Sequence, residues 1–361
     1  MKDNGSSQGM GATVTTIVAM TRGRHLRRRI AVVGAVVLVA SLLSTGIANA
    51  GPTCFRSPVT IIGTSGDDII VGTAGPDVIM GLLGHDEIRG GAGSDLICGG
   101  DQRDMVYGDE GDDKVAGARG SDFVSGGDGN DRVYGGGWRD SFTDTMVGGA
   151  GDDLLSGNDA GGGVASYIDS PGPISADLST GTATGEGTDT LVNVNTIDGS
   201  EYDDTLTNGA LASGRFSSVN GNGGADSLYS GTAVTGGLFG DGGNDLLVGN
   251  EFDDSLHGGD GADVIRGNEG DDSIWGDEGT TWNPNGGNDV MFGGSGDDRF
   301  DMAGPGDAGN DEYYGGDGTD SIRANDGSTS NDLVDGGEGP GDICGADAGD
   351  AVVNCEVVLP E

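Results

Sequence analysis

Basic side chains are scarce in this sequence. Lysine and arginine total 17 against 60 aspartates and glutamates, and only two lysines occur, Lys2 and Lys114. Without a basic face the chain is a poor partner for nucleic acid or an anionic membrane. Histidine is limited to three residues and aromatics to 5%, which leaves little imidazole for zinc or copper and little bulk for a large core. No H-E-x-x-H stretch is present, and the glycine-rich segments carry aspartate where a phosphate-binding loop needs lysine. The single G-x-S-x-G match, Gly5 to Gly9, falls in the first fifty residues and is read as accidental.

The longest uncharged apolar run, Ile30 to Leu43, is 14 residues, short for a membrane span. It follows Arg22, Arg24, Arg27, Arg28 and Arg29 and precedes Ile47-Ala48-Asn49-Ala50, the order of a secretory leader ending in a small-x-small cleavage site. Residues 1–50 are therefore expected to be a signal region cleaved after Ala50, which leaves no stable membrane insertion and places the mature chain outside the cell. That region holds six basic residues and one acidic one, so 59 acidic and 11 basic side chains remain. Four cysteines remain as well, Cys54, Cys98, Cys344 and Cys355. No pair has the C-x2-C spacing of a zinc site, and an oxidising compartment favours disulfides. Three pairings are open; nearness in sequence favours Cys344 with Cys355 and Cys54 with Cys98.

What the sequence has in excess is glycine, 77 of 361 residues. Glycine loses the most backbone entropy on ordering, and a formal charge of -43 repels itself in any compact state, so composition alone describes a disordered chain. The order of the residues contradicts that. From Gly63 to Thr143 the sequence divides without a gap into nine nonapeptides, GTSGDDIIV to GGGWRDSFT. Position one is always glycine. Position six is Asp68, Asp77, Asp86, Asp95, Asp104, Asp113, Asp122, Asp131 and Asp140; position eight is Ile70, Ile79, Ile88, Ile97, Val106, Val115, Val124, Val133 and Phe142. With acidic residues scattered at one in six, nine successive matches have a chance on the order of one in ten million.

The pattern returns with Asp153, Asp204 and Asp226, then in a gap-free block from Gly240 to Trp275 with Asp245, Asp254, Asp263 and Asp272. Looser units carry Asp289, Asp298, Asp311, Asp320 and Asp332, and a last unit slipped by one residue puts its aspartate at Asp342. Gln102 and Trp138 replace the glycine of position four, so their turns are expected to be distorted. Positions seven and nine show no repeated threonine or aromatic array of the kind that an ice- or sugar-binding face presents.

This G-G-x-G-x-D-x-U-x repeat resembles the RTX (repeats-in-toxin, hemolysin-type) calcium-binding family over most of the mature chain. The resemblance implies an all-β fold, a parallel β-roll or solenoid of 18-residue coils, in which six residues of each unit turn around calcium and three form a strand. Two rolls are expected, over residues 63–156 and 199–344. A connecting β segment at 157–198, with strands near Val164 to Ile168, Ile174 to Leu178 and Thr190 to Ile197, would join them, between caps at 51–62 and 345–361.

Physical chemistry supports the same picture. Aspartates two units apart would stand on one edge in neighbouring coils, about 4.8 Å apart, where two carboxylates repel by about 3.5 kcal/mol at an effective dielectric of 20. A hard cation reverses the sign of that interaction. Calcium accepts 6 to 8 oxygens, which carboxylates and turn carbonyls supply, and its binding energy then becomes folding energy. The expected function is secreted calcium binding by the position-six aspartates, without catalysis. A calcium-stiffened adhesin with an unknown cell-wall or surface ligand is the alternative, and a toxin or hydrolase of the same family the weaker one, since only Gly51 to Ile62 stand between the leader and the first unit.

Overall fold

The computed structural model describes residues 53–136, 142–158, 162–209, 216–231, 236–277, 287–301, 309–324 and 331–359. Among them there is no helix; the chain is all β, wound as a parallel solenoid. Alternate nonapeptides go to alternate sheets. Among the described residues one sheet joins 15 strands, from Ile69–Val71 to Val357–Leu359, all in parallel. The other joins 17, from Ile61–Ile62 to Ala351–Val353.

The strands run longer than a three-residue reading of the unit allows. Val78–Leu83, Glu87–Ala92, Leu96–Asp101 and Met105–Glu110 are each six residues, covering positions seven to nine of one unit and one to three of the next. Side chains alternate along an extended strand, so positions six, eight and one all face inward. The core is accordingly one apolar residue per unit, stacked in two columns. Ile79 pairs with Ile97, Ile97 with Val115, and Val115 with Val133 in one column. Ile70, Ile88, Val106 and Val124 form the other. Each of these except Ile70, at 3% exposure, is fully buried.

The third inward position is glycine because there is no room for anything else. A Cβ on Gly99 would lie 2.6 Å from Asp104 Oδ2 and 2.7 Å from the Gly117 carbonyl oxygen of the next coil. Position one therefore needs close approach, not an unusual backbone angle. The left-handed backbone sits instead at positions two and four, as in Gly91 and Gly93, with φ of 101° and 129°.

The connecting segment carries both ladders across. Val164–Ser166 and Thr196–Asp198 continue one sheet. In the other, Leu155 pairs directly with Leu191, and the ladder then folds back through Thr182–Thr184 and Ser175–Asp177, its two antiparallel steps, before resuming at Thr205–Thr207. The strand at Thr182–Thr184 has no counterpart in the sequence reading.

Both disulfides form as expected, with Cα atoms 5.9 Å apart for Cys54–Cys98 and 6.1 Å for Cys344–Cys355. The first ties the hairpin Thr53–Cys54/Ser57–Pro58 to the roll. Beside it Lys114 Nζ lies 4.1 Å from the Phe55 ring centroid and 5.3 Å from that of Tyr134. Position nine does build short aromatic stacks, contrary to the sequence reading: Phe239, His257 and Trp275, with centroids 4.7 and 4.2 Å apart, and Phe292 with Tyr314 at 4.9 Å on the other sheet.

Candidate metal centre

Each repeat aspartate enters the interior at the last turn residue before its strand. Its main chain joins the sheet, as when Lys114 N–H donates to the Asp95 carbonyl at 2.9 Å. Its carboxylate is clamped from the neighbouring coil: Asp77 N–H donates to Asp95 Oδ1 at 2.7 Å, Asp95 to Asp113 at 2.7 Å, and Asp113 to Asp131 at 2.7 Å. The parallel column runs Asp68, Asp86, Asp104, Asp122 at 2.8 to 2.9 Å.

The second carboxylate oxygen has a different environment. Oδ2 of Asp86, Asp95, Asp104, Asp113, Asp131 and Asp153 is buried and meets no hydrogen-bond donor, and the same holds for Asp226, Asp245, Asp263, Asp272, Asp298, Asp320 and Asp342. A buried anionic oxygen without a partner is costly. Burial, with neighbouring carboxylates adding to it, pushes Asp104 and Asp263 up to about 8. It pushes Asp113, Asp153, Asp226, Asp272 and Asp320 up to about 7. A row of such groups is a row of places for protons or cations.

The turns supply further oxygens. A Cβ on Gly111 would overlap the Gly93 carbonyl oxygen, and one on Gly129 that of Gly111, so position-four carbonyls point along the axis into the next turn. Among the described residues no three His, Cys, Asp or Glu side chains gather in one group. A site here is thus one or two carboxylates with main-chain carbonyls, a donor set of oxygens alone that fits calcium.

The looser units prove as regular as the unbroken ones. Asp263 N–H reaches Asp289 Oδ1 at 2.8 Å across 26 residues, Asp245 reaches Asp263 at 2.8 Å across 18, and Asp298 reaches Asp320 at 2.9 Å across 22. Asp204 to Asp226, Asp254 to Asp272, Asp289 to Asp311 and Asp311 to Asp332 follow the same rule. The slipped unit is restored too, with Asp342 accepting from Asp320 N–H at 2.9 Å and Cys344 paired with Ile322 in the core. Gln102 adopts the left-handed backbone at φ 85°, and Asp104 beyond it keeps its place. Trp138 and Asp140 lie outside the described residues.

One step of the nine-residue count slips. Asp122 N–H donates to Asp144 at 2.9 Å, and Met146 pairs with Val124 in the core, whereas Phe142 is 57% exposed. Asp144 and Met146 repeat the D-x-apolar phase four residues late. Asp189 and Asp350 were also missed: they accept from Asp153 and Asp332 at 3.0 and 3.1 Å. So were the position-five residues, which clamp in the opposite direction. His85 N–H donates to Asp67 Oδ1, Asn130 to Asp112, and Asp152 to Asn130, at 2.8 to 2.9 Å. The recurring DD and ND doublets were their signal.

A comparison with protein families matches the RTX calcium-binding nonapeptide repeat at residues 62–97, 71–106, 107–137, 138–160, 239–274, 285–301 and 305–341, together more than half of the chain. No curated protein matches it. The family match rests on the same glycine, aspartate and apolar positions that build the two sheets and the buried carboxylate columns. The chain belongs to the RTX calcium-binding nonapeptide repeat family, and its β-roll binds several calcium ions.

Proposed function

We propose that the position-six aspartates and the carbonyls of adjoining turns are the calcium ligands, and that calcium binding folds the mature chain after its secretion. The buried Oδ2 column carries this reading: in water these oxygens would be hydrated, in the roll they meet nothing, and a divalent cation restores what burial removed. Without the ion the roll keeps a thin apolar core and rows of close carboxylates, so binding and folding are one transition. The leader-like residues 1–50 and the two disulfides support an extracellular setting. The family match is to the repeat alone, which supports a binding role without catalysis.

Circular dichroism of the mature chain tests this. The expected outcome is a largely unordered spectrum in chelator and a cooperative gain of β signal as calcium is raised to about the millimolar range typical of extracellular calcium modules. Identical spectra in the two conditions would end the proposal.

A second reading, a calcium-stiffened surface-interaction protein, draws on the stacked Phe239, His257 and Trp275 at one outward position. The two readings share the calcium step and differ only in whether the roll has an outside ligand.

A further inference from the structure

Four position-six aspartates have the second oxygen capped from position two of their own unit. Thr73 N–H and Oγ1 both donate to Asp77 Oδ2, at 2.7 and 2.8 Å. Thr64 N–H does the same for Asp68, Ser200 N–H for Asp204 at 2.6 Å, and Asn250 N–H for Asp254 at 2.7 Å. All four donors stand at position two of the unit. Each also accepts with its side-chain oxygen from the N–H two residues on, in Gly66, Gly75, Tyr202 and Phe252. These are tight local turns made by the side chain itself.

Where the second oxygen is orphaned, position two does something else. Its backbone is left-handed, as at Leu82, Gly91, Gly100, Asp109 and Asn222, with φ from 71° to 141°. None of the four capping residues has a positive φ. The preceding strand reports the same division. It ends after two or three residues before Thr64, Thr73, Ser200 and Asn250, but continues through position three at Gly91, Gly100 and Asp109. The backbone at position two thus separates an N–H turned onto the carboxylate from an N–H turned away from it. Residue type alone does not decide this, since asparagine occurs in both classes: Asn222, Asn250 and Asn268 all send their side-chain amides to a carbonyl, of Gly199, Gly231 and Gly249, yet only Asn250 lacks the left-handed φ.

We propose that Asp68, Asp77, Asp204 and Asp254 stand outside the calcium sites, their second oxygen being occupied by the position-two residue, while turns with a left-handed position two take the ions. The inference rests on the calcium-ligand reading above. An N–H aimed at the oxygen puts positive charge where the ion would bind. Displacing the two hydrogen bonds on Asp77 Oδ2 lowers calcium affinity on the order of a hundredfold or more, and displacing the single one on Asp254 Oδ2 on the order of tenfold. The sequence pattern makes these four turns look like any other repeat, since all have glycine at position one and aspartate at position six.

Calcium stoichiometry of the full mature chain, measured by calorimetry and by native mass spectrometry, tests the division. Asp77→Asn and Asp254→Asn are expected to bind as many ions as the parent protein, Asp104→Asn and Asp263→Asn fewer, and Thr73→Gly one more. If Asp77→Asn and Asp254→Asn lose ions as Asp104→Asn does, the two classes are overturned while the ligand reading stands. If Asp104→Asn and Asp263→Asn keep every ion, the ligand reading itself falls.

Discussion

Asp104 has one oxygen held at 2.9 Å by Asp86 N–H and the other buried without a donor. Its carboxyl is pushed from 3.8 to about 8 by burial, as is that of Asp263, with Asp113, Asp153, Asp226, Asp272 and Asp320 at about 7. A carboxyl whose value is raised by folding favours the fold while it is protonated. That contribution is complete below about pH 4 and is lost as pH rises through about 7 to 8. On the proposed ligand assignment, protons and calcium compete for the same oxygens. In chelator, the β signal is expected to be larger near pH 4.5 than at pH 8. In calcium the order reverses, with apparent affinity rising between pH 5 and 8 by about tenfold per unit for each proton displaced. Titrations at three pH values in that range check the sign, and a flat affinity would contradict it. The position-six aspartates of the unbroken block were legible because they share a residue type and a spacing. Their position-five neighbours left a signal in the DD and ND doublets that the nine-residue count passed over, and the position-two threonines left none, because they act on the carboxylate through their own backbone N–H.

At the scale of one turn and strand, two substitutions separate the roles of glycine. Gly99→Ala places a methyl 2.6 Å from Asp104 Oδ2, and overpacking of this kind is expected to cost about 1 to 3 kcal/mol. Leu82 already sits at φ 90°. Leu82→Gly relieves about 1 to 2 kcal/mol of left-handed strain and loses part of it to a freer unfolded chain, a net gain of up to about 1 kcal/mol. Denaturant unfolding of both variants in saturating calcium measures these changes, and equal loss in both would show that position two is not strained. The strands themselves were legible from position eight. Their full six-residue length was not, because a glycine at position one reads as a turn signal when its neighbours in space are unknown. The aromatic stack was missed for a related reason: Phe239, His257 and Trp275 recur every 18 residues, so a search every nine finds nothing.

Across the whole molecule, the columns of carboxylates and of apolar residues run the length of the described solenoid, including the segment at 157–198 that lacks the nine-residue period. Its strands replace the repeat's geometry with ordinary pairings, and Tyr167 OH donates to Asp189 Oδ2 at 2.9 Å, filling the oxygen that in Asp131 and Asp153 of the same sheet meets no donor. That substitution could not be read from sequence, because Tyr167 and Asp189 are brought together only by the fold. The N-terminal end is reinforced in the same spirit, with Thr64 and Thr73 capping the first two aspartates and Cys54–Cys98 closing a 44-residue interval. Cys98→Ser is expected to lower stability by about 4 kcal/mol through the freed chain entropy. It should do so with the number of bound ions unchanged; a lost ion would mean that the staple shapes a site.

The clamp between neighbouring coils has the same 2.8 Å length whether 18 or 26 residues separate its aspartates. Register in this roll is thus independent of the amount of chain between units. Those junctions are graduations on a molecular ruler: foreign segments grafted there would be displayed at heights set by the stacking of coils, about 4.8 Å for each, and on the proposed coupling of binding to folding the display would be switched by calcium and chelator.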